Sequence, residues 1–209
     1  MARVDDYQLS FDLAAQELAG ADLAEVARRS GVELAGDGSL RLDYYGRPLK
    51  VTRDAQGAMA VAHLDDGPAV PLAEQALVMH YLARADGAAV AGEWITFREV
   101  EAGEFYWSAF VKRAKDPLVG FFGARPELLQ ALATKVGGRD GGEAGDASVI
   151  VRAFPRVEFL FVLWAGDDEF PAEGNVLMDK SIGHYLSTED IALAAGLPIY
   201  KMMALSRQG

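Results

Sequence analysis

Cysteine is absent from all 209 residues. That one absence excludes disulfides, cysteine-ligated zinc, cysteine-ligated iron–sulfur clusters and thiol nucleophiles together. Basic residues are scarce: 20 Lys and Arg stand against 31 Asp and Glu, a formal net charge of −11. No Lys/Arg run offsets this locally, so a phosphate backbone or an anionic membrane surface would be repelled. A basic protein partner or a cationic ligand is compatible with the charge, and acidity also favours solubility. Long apolar runs are missing too. The strongest, Phe159 to Ala165, has the length of a strand and not of a membrane span. The first twenty residues carry early acids and no apolar h-region, so no signal peptide is expected and the cytoplasm is the expected location.

Familiar catalytic signatures are also lacking. There is no G-x-x-x-x-G-K-[ST], no H-E-x-x-H and no G-x-S-x-G. The glycine cluster beginning at Gly137 has the wrong spacing for a dinucleotide fingerprint and precedes a strand rather than a helix.

What is present fits one domain over residues 1–209, large enough to bury a core without disulfides or metal. Leu9, Leu13, Ala14 and Leu18 fall on one 3.6-residue face, predicting a first helix that ends at Gly20. Asp22 caps a second helix that stops at Gly31. Alternating residues 40–46 and 48–54 predict a hairpin bent at Gly46, with a third strand at 58–64. Pro71 suits the first position of a helix closed by Gly87. Residues 93–101 alternate and predict a strand. A helix follows from Tyr106 to Lys115, Asp116-Pro117 restarts the chain, and Pro126 starts another helix.

Residues 137–147 hold five glycines among charges and read as a flexible loop. Segments 148–154 and 157–165 are continuously apolar and β-rich, the marks of a hairpin at a sheet centre. Residues 187–190 cap a last helix that Gly196-Leu197-Pro198 interrupts or ends. Strands and helices come in runs without regular alternation. The expected class is α+β, with a mixed or antiparallel central sheet and helices packed around it.

Two clusters carry candidate chemistry. Asp167, Asp168, Glu169 and Asp179 precede His184, and hard oxygen donors with one imidazole suit a divalent metal or acid–base work. The more ordinary reading of the same residues is a solvated acidic loop and a helix cap. Trp94, Arg98, Tyr106 and Trp107 suit the rim of a pocket for a flat or hydrophobic ligand, with His184 as a further contact, or else belong to the core. His80 reads as a residue at the edge of a helix core.

Segments 77–87, 92–107 and 160–186, with STED at 187–190, resemble an uncharacterised family of bacterial and archaeal proteins, a domain of unknown function common in anaerobes. The similarity spans roughly residues 70 to 195. Some relatives add a cysteine-rich iron–sulfur segment similar to that of corrinoid iron–sulfur proteins, which a cysteine-free chain cannot match. The resemblance implies a setting in anaerobic one-carbon or redox metabolism and brings no established activity.

Three functions follow as expectations. The first is a non-catalytic module that holds a small ligand, such as a tetrapyrrole or other cofactor, or docks on a protein partner. The second is a metal-dependent enzyme using the acidic loop and His184. The third is a scaffold with an acidic docking surface.

Overall fold

A computed structural model describes residues 4–65 and 67–207. The chain opens with α1 (Val4–Ala19) and α2 (Leu23–Ser30). The Asp22 carboxylate accepts the Ala24 amide at 2.9 Å, and Gly31 in the left-handed region returns its N–H to Ala27 O at 2.8 Å. Both ends of α2 are thus closed as their residue types predict. β1 (Glu33–Leu34), β2 (Leu40–Tyr44), β3 (Arg47–Arg53) and β4 (Met59–His63) form an antiparallel sheet in sequence order.

The β2–β3 turn consists of Tyr45 and Gly46, both with positive φ (51° and 75°), as a two-residue hairpin turn of this hand requires. Glycine adopts this freely, whereas tyrosine is strained there. Burial of Tyr45 and its hydroxyl's hydrogen bond to Ala194 O at 2.7 Å hold it in place. A Cβ on Gly46 would stand 2.6 Å from the Gly137 amide, so this turn needs glycine to lie against the second half of the molecule.

The second sheet, also antiparallel, is built from β5 (Trp94–Thr96), β6 (Gly138–Asp140), β7 (Ala147–Phe154), β8 (Val157–Trp164) and β9 (Glu173–Asp179) in the order β5-β9-β8-β7-β6. The β7–β8 hairpin turns at Pro155-Arg156 and places β8 at the centre, as its unbroken apolar run predicts. α3 (Leu72–Arg84) bridges the sheets. Its Tyr81 ring stacks on Phe154 of β7 at 4.3 Å, while its hydroxyl donates to Ser30 O at the end of α2. Buried residues from both sheets and the helices form one continuous core. The fold is α+β with antiparallel sheets. Among the described residues, no helix is long and apolar enough to cross a membrane.

Several elements differ from the sequence expectation. In α1, Leu9 and Leu13 point outward, 61% and 60% exposed, and the buried face is Ala14 and Leu18 with Phe11 beside them. Pro71 precedes α3 instead of opening it, and its carbonyl accepts the Glu74 and Gln75 amides. The strand expected over 93–101 ends at Thr96. There the Thr96 amide and hydroxyl both donate to the Glu99 carboxylate, at 2.8 and 2.7 Å, and a 3₁₀ turn begins. The glycine-rich segment is not loop throughout: Gly138–Asp140 pair with β7 as an edge strand.

Two prolines expected to break helices do not. α4 (Gly103–Phe110) runs through a π-helical turn at Val111–Lys115 into α5 (Asp116–Phe122), with helical angles at every joint. Pro117 has no N–H to offer the Arg113 carbonyl, and the widened turn absorbs the mismatch. The carbonyl is packed against Gly196, where any Cβ would collide with it. Gly196 lies in α7 (Thr188–Leu205), which continues past Pro198. Pro198 likewise frees the Ala194 carbonyl, and this is the oxygen that Tyr45 caps. Between these helices, α6 (Pro126–Ala133) and a 3₁₀ turn at Thr134–Val136 lead into β6.

Candidate functional site

Two of the acidic residues picked out by sequence, Asp167 and Asp179, have separate partners. Asp167 accepts the Glu169 and Phe170 amides at 2.8 and 2.7 Å, closing a turn, and these hydrogen bonds hold its carboxyl below the usual range. Asp168 and Glu169 are exposed beside it. Asp179, 6% exposed, accepts the Ala91, Gly92 and Ser181 amides and the Ser181 hydroxyl. Burial pushes its carboxyl up, and those donors more than offset this, so its pKa lies below the usual value. It pins the segment before β5. His184 Nδ1 meets Asp86 Oδ2 at 2.7 Å on the surface. Among the described residues, no three His, Asp or Glu side chains gather to hold a metal ion. The five expected ligands therefore do not form such a group: Asp167 closes its own turn, Asp179 is taken up by backbone amides and Ser181, and His184 pairs with Asp86.

The aromatic candidates are likewise divided. The Arg98 guanidinium lies 4.4 Å from the Trp107 ring centre and 3.3 Å from Glu104. Tyr106, next along α4, meets Phe105 edge-on at 5.1 Å. Trp94 lines a different cleft, beside Arg139, Arg156 and Asp179. Phe97 and Phe110 are core, stacked at 4.1 Å.

A better-built site lies where the first sheet, the start of α3 and the end of α7 meet. The cleft measures about 490 Å³, and its polar lining is Tyr44, Arg47, His63, Glu74, Lys135 and Lys201. Strand alternation turns Leu40, Leu42 and Tyr44 of β2 inward, so Tyr44 ends the buried row at the cleft wall. Glu74, in the first turn of α3 and 8% exposed, receives the Lys201 ammonium at 2.8 Å. Lys201 also stands 5.7 and 5.8 Å from the ring centres of Tyr44 and Tyr45. A cation over tyrosine faces is attractive.

Two polar atoms here are buried outside hydrogen-bond geometry with any described residue: His63 Nδ1, and Tyr44 Oη, which stands beside the Glu74 carboxylate without completing a well-formed bond to it. Each such atom costs about 1–3 kcal/mol, so most native structures avoid them. Burial, then the neighbouring Tyr45 and Glu74, raise the Tyr44 phenol well above its ordinary value. It remains a donor at all physiological pH. Burial and then the Arg47 charge lower the His63 pKa, favouring the neutral ring.

The charge of the lining runs against the charge of the chain. Arg47, Lys135 and Lys201 face one acid, Glu74, in a molecule of net charge −11. Arg47 is shared with Asp65 at 3.3 Å.

No reading of the sequence singles out this cleft. Its residues come from five separate parts of the chain, and each is ordinary where it stands. The one local oddity is Lys201 in a helix otherwise rich in Ile, Leu, Ala and Met.

No curated protein and no solved structure matches the chain. A family model described as a domain of unknown function (DUF3786) matches residues 22–201, which include every polar residue of the cleft. By that match over most of its length, the chain belongs to the DUF3786 family.

Proposed function

We propose that the protein is a small-ligand-binding module whose site is the Tyr44–His63–Lys201 cleft. The ligand is an anionic organic molecule: a carboxylate or phosphate on an apolar body. The reading rests on one observation, the two buried polar atoms left without a well-formed hydrogen bond on a cleft wall. A bound ligand would accept from Tyr44 Oη and pair with His63 Nδ1, recovering the desolvation cost of both. Lys201, Arg47 and Lys135 supply the positive field, and the tyrosine faces and Val136 supply apolar contact. The volume is in the range of small-molecule pockets.

The test combines Tyr44→Phe with calorimetric titration of a panel of aromatic and aliphatic carboxylates and their phosphate analogues. Phenylalanine keeps the packing and deletes a buried hydroxyl that completes no well-formed hydrogen bond. The variant is expected to be at least as stable as the parent and to bind the best panel member roughly tenfold more weakly, about 1.4 kcal/mol. A panel without any binder, or a variant that binds equally well, overturns the reading.

A further inference from the structure

On the other side of α3, three side chains distant in sequence meet in a line. Ser10 Oγ of α1 lies 2.7 Å from His80 Nε2 of α3, and His80 Nδ1 lies 2.9 Å from Asp190 Oδ1 of α7. Asp190 is 9% exposed, and its second oxygen accepts the Ser187 hydroxyl at 2.6 Å. An ionised carboxylate only accepts, so the proton of the neutral imidazole sits on Nδ1. That leaves Nε2 as the acceptor facing the serine hydroxyl. The order of contacts, serine to imidazole to buried, oriented carboxylate, is that of a nucleophile, its base and the group that orients the base.

We propose that Ser10, His80 and Asp190 form a hydrolytic triad for small, neutral carboxylic esters. Two spaces flank Ser10 and His80. One, about 160 Å³, has Ala76, Leu77 and Leu193 in its wall and accepts a short acyl chain. The other, about 490 Å³, is wider and more open, and holds the alcohol side. Ser10 lies inside α1, where backbone amides are committed to the helix, so the oxyanion needs a side-chain donor. Arg113 lines the smaller pocket and forms no ion pair among the described residues. It sits in the π-helical turn of the α4–α5 helix, a distortion frequent at functional sites. Glu189 on the same wall disfavours acidic substrates.

In the reaction, Ser10 Oγ forms a bond to the ester carbonyl carbon as its proton passes to His80 Nε2. The negative oxygen is held by Arg113. The carbonyl re-forms, the ester C–O bond breaks, and the alcohol leaves with the proton from His80. Water then repeats the sequence on the acyl-serine, releasing the acid and restoring Ser10.

The experiment treats the full-length protein with a fluorophosphonate and reads intact mass, then follows hydrolysis of p-nitrophenyl acetate, butyrate and octanoate. One adduct is expected on Ser10, absent in Ser10→Ala. Alanine is the best helix former, so α1 is retained, which circular dichroism checks. Ester turnover should fall roughly 10²-fold or more in Ser10→Ala and His80→Gln. Arg113→Met should lower kcat by about 10²-fold with less change in KM. Asp190→Asn, a change to a positioning residue, should lower kcat and move the pH–rate profile to lower pH. Acetate and butyrate should exceed octanoate. No adduct on the folded parent, or an adduct that persists in Ser10→Ala, overturns the proposal and leaves the trio as a tie between three helices.

Discussion

At the scale of single residues, the informative groups have partners far away in the chain. Tyr45 occupies a strained turn position and donates to the carbonyl that Pro198 leaves open. Tyr45→Phe keeps the ring and orphans a buried oxygen, so a loss of about 1–3 kcal/mol is expected in chemical denaturation. Tyr44→Phe, one residue earlier, is expected to cost less, since its hydroxyl stands beside Glu74 without completing a well-formed hydrogen bond. Unequal outcomes from neighbouring, chemically identical substitutions make the pair a sharp check on both assignments. His80 allows a test by pH. Its hydrogen bond to Asp190 raises its pKa above the ordinary 6.5, burial opposing, with the Asp190 charge and Ser10 assisting. A folded-state pKa above the unfolded one means the added stability is fully present below the unfolded pKa. It is lost as pH rises through the raised value. Denaturation midpoints compared across that window should fall more in the parent than in His80→Gln. Ester turnover should show the reverse trend, rising as His80 becomes neutral and able to act as base.

At the scale of elements, what was legible in the sequence was local. Asp22 and Gly31 end α2, Gly46 permits the β2–β3 turn, and Pro155-Arg156 turns the central hairpin, each through contacts within a few residues. The two prolines within helices depend on distant chain. Pro117 and Pro198 carry strong helix-breaking signals, yet each freed carbonyl lies against a group remote in sequence, Gly196 and Tyr45 respectively. Propensity has no access to such partners. The same limit hid the cleft: among the described residues the acids at 167–169 join no trio of His, Asp or Glu able to hold a metal, whereas Glu74 and Lys201, far apart in sequence, pair. The α7 crossing yields a prediction of its own. Gly196→Ala gains helix propensity but drives a methyl into the Arg113 carbonyl. Steric conflict should win, lowering the melting temperature with a net cost of about 1–3 kcal/mol, and the π-helical turn should shift.

At the scale of the whole molecule, α7 ties the architecture together. It carries Asp190 near its start and Lys201 near its end, about three helical turns or roughly 16 Å apart. Between them, Pro198 opens the helix and Tyr45 braces the opening from the cleft wall. One continuous helix therefore joins the cleft to the face that carries Asp190, and the Tyr45 hydrogen bond fixes its middle. An anion filling the cleft is expected to change the rate at which Ser10 is acylated, and Tyr45→Phe is expected to weaken that coupling.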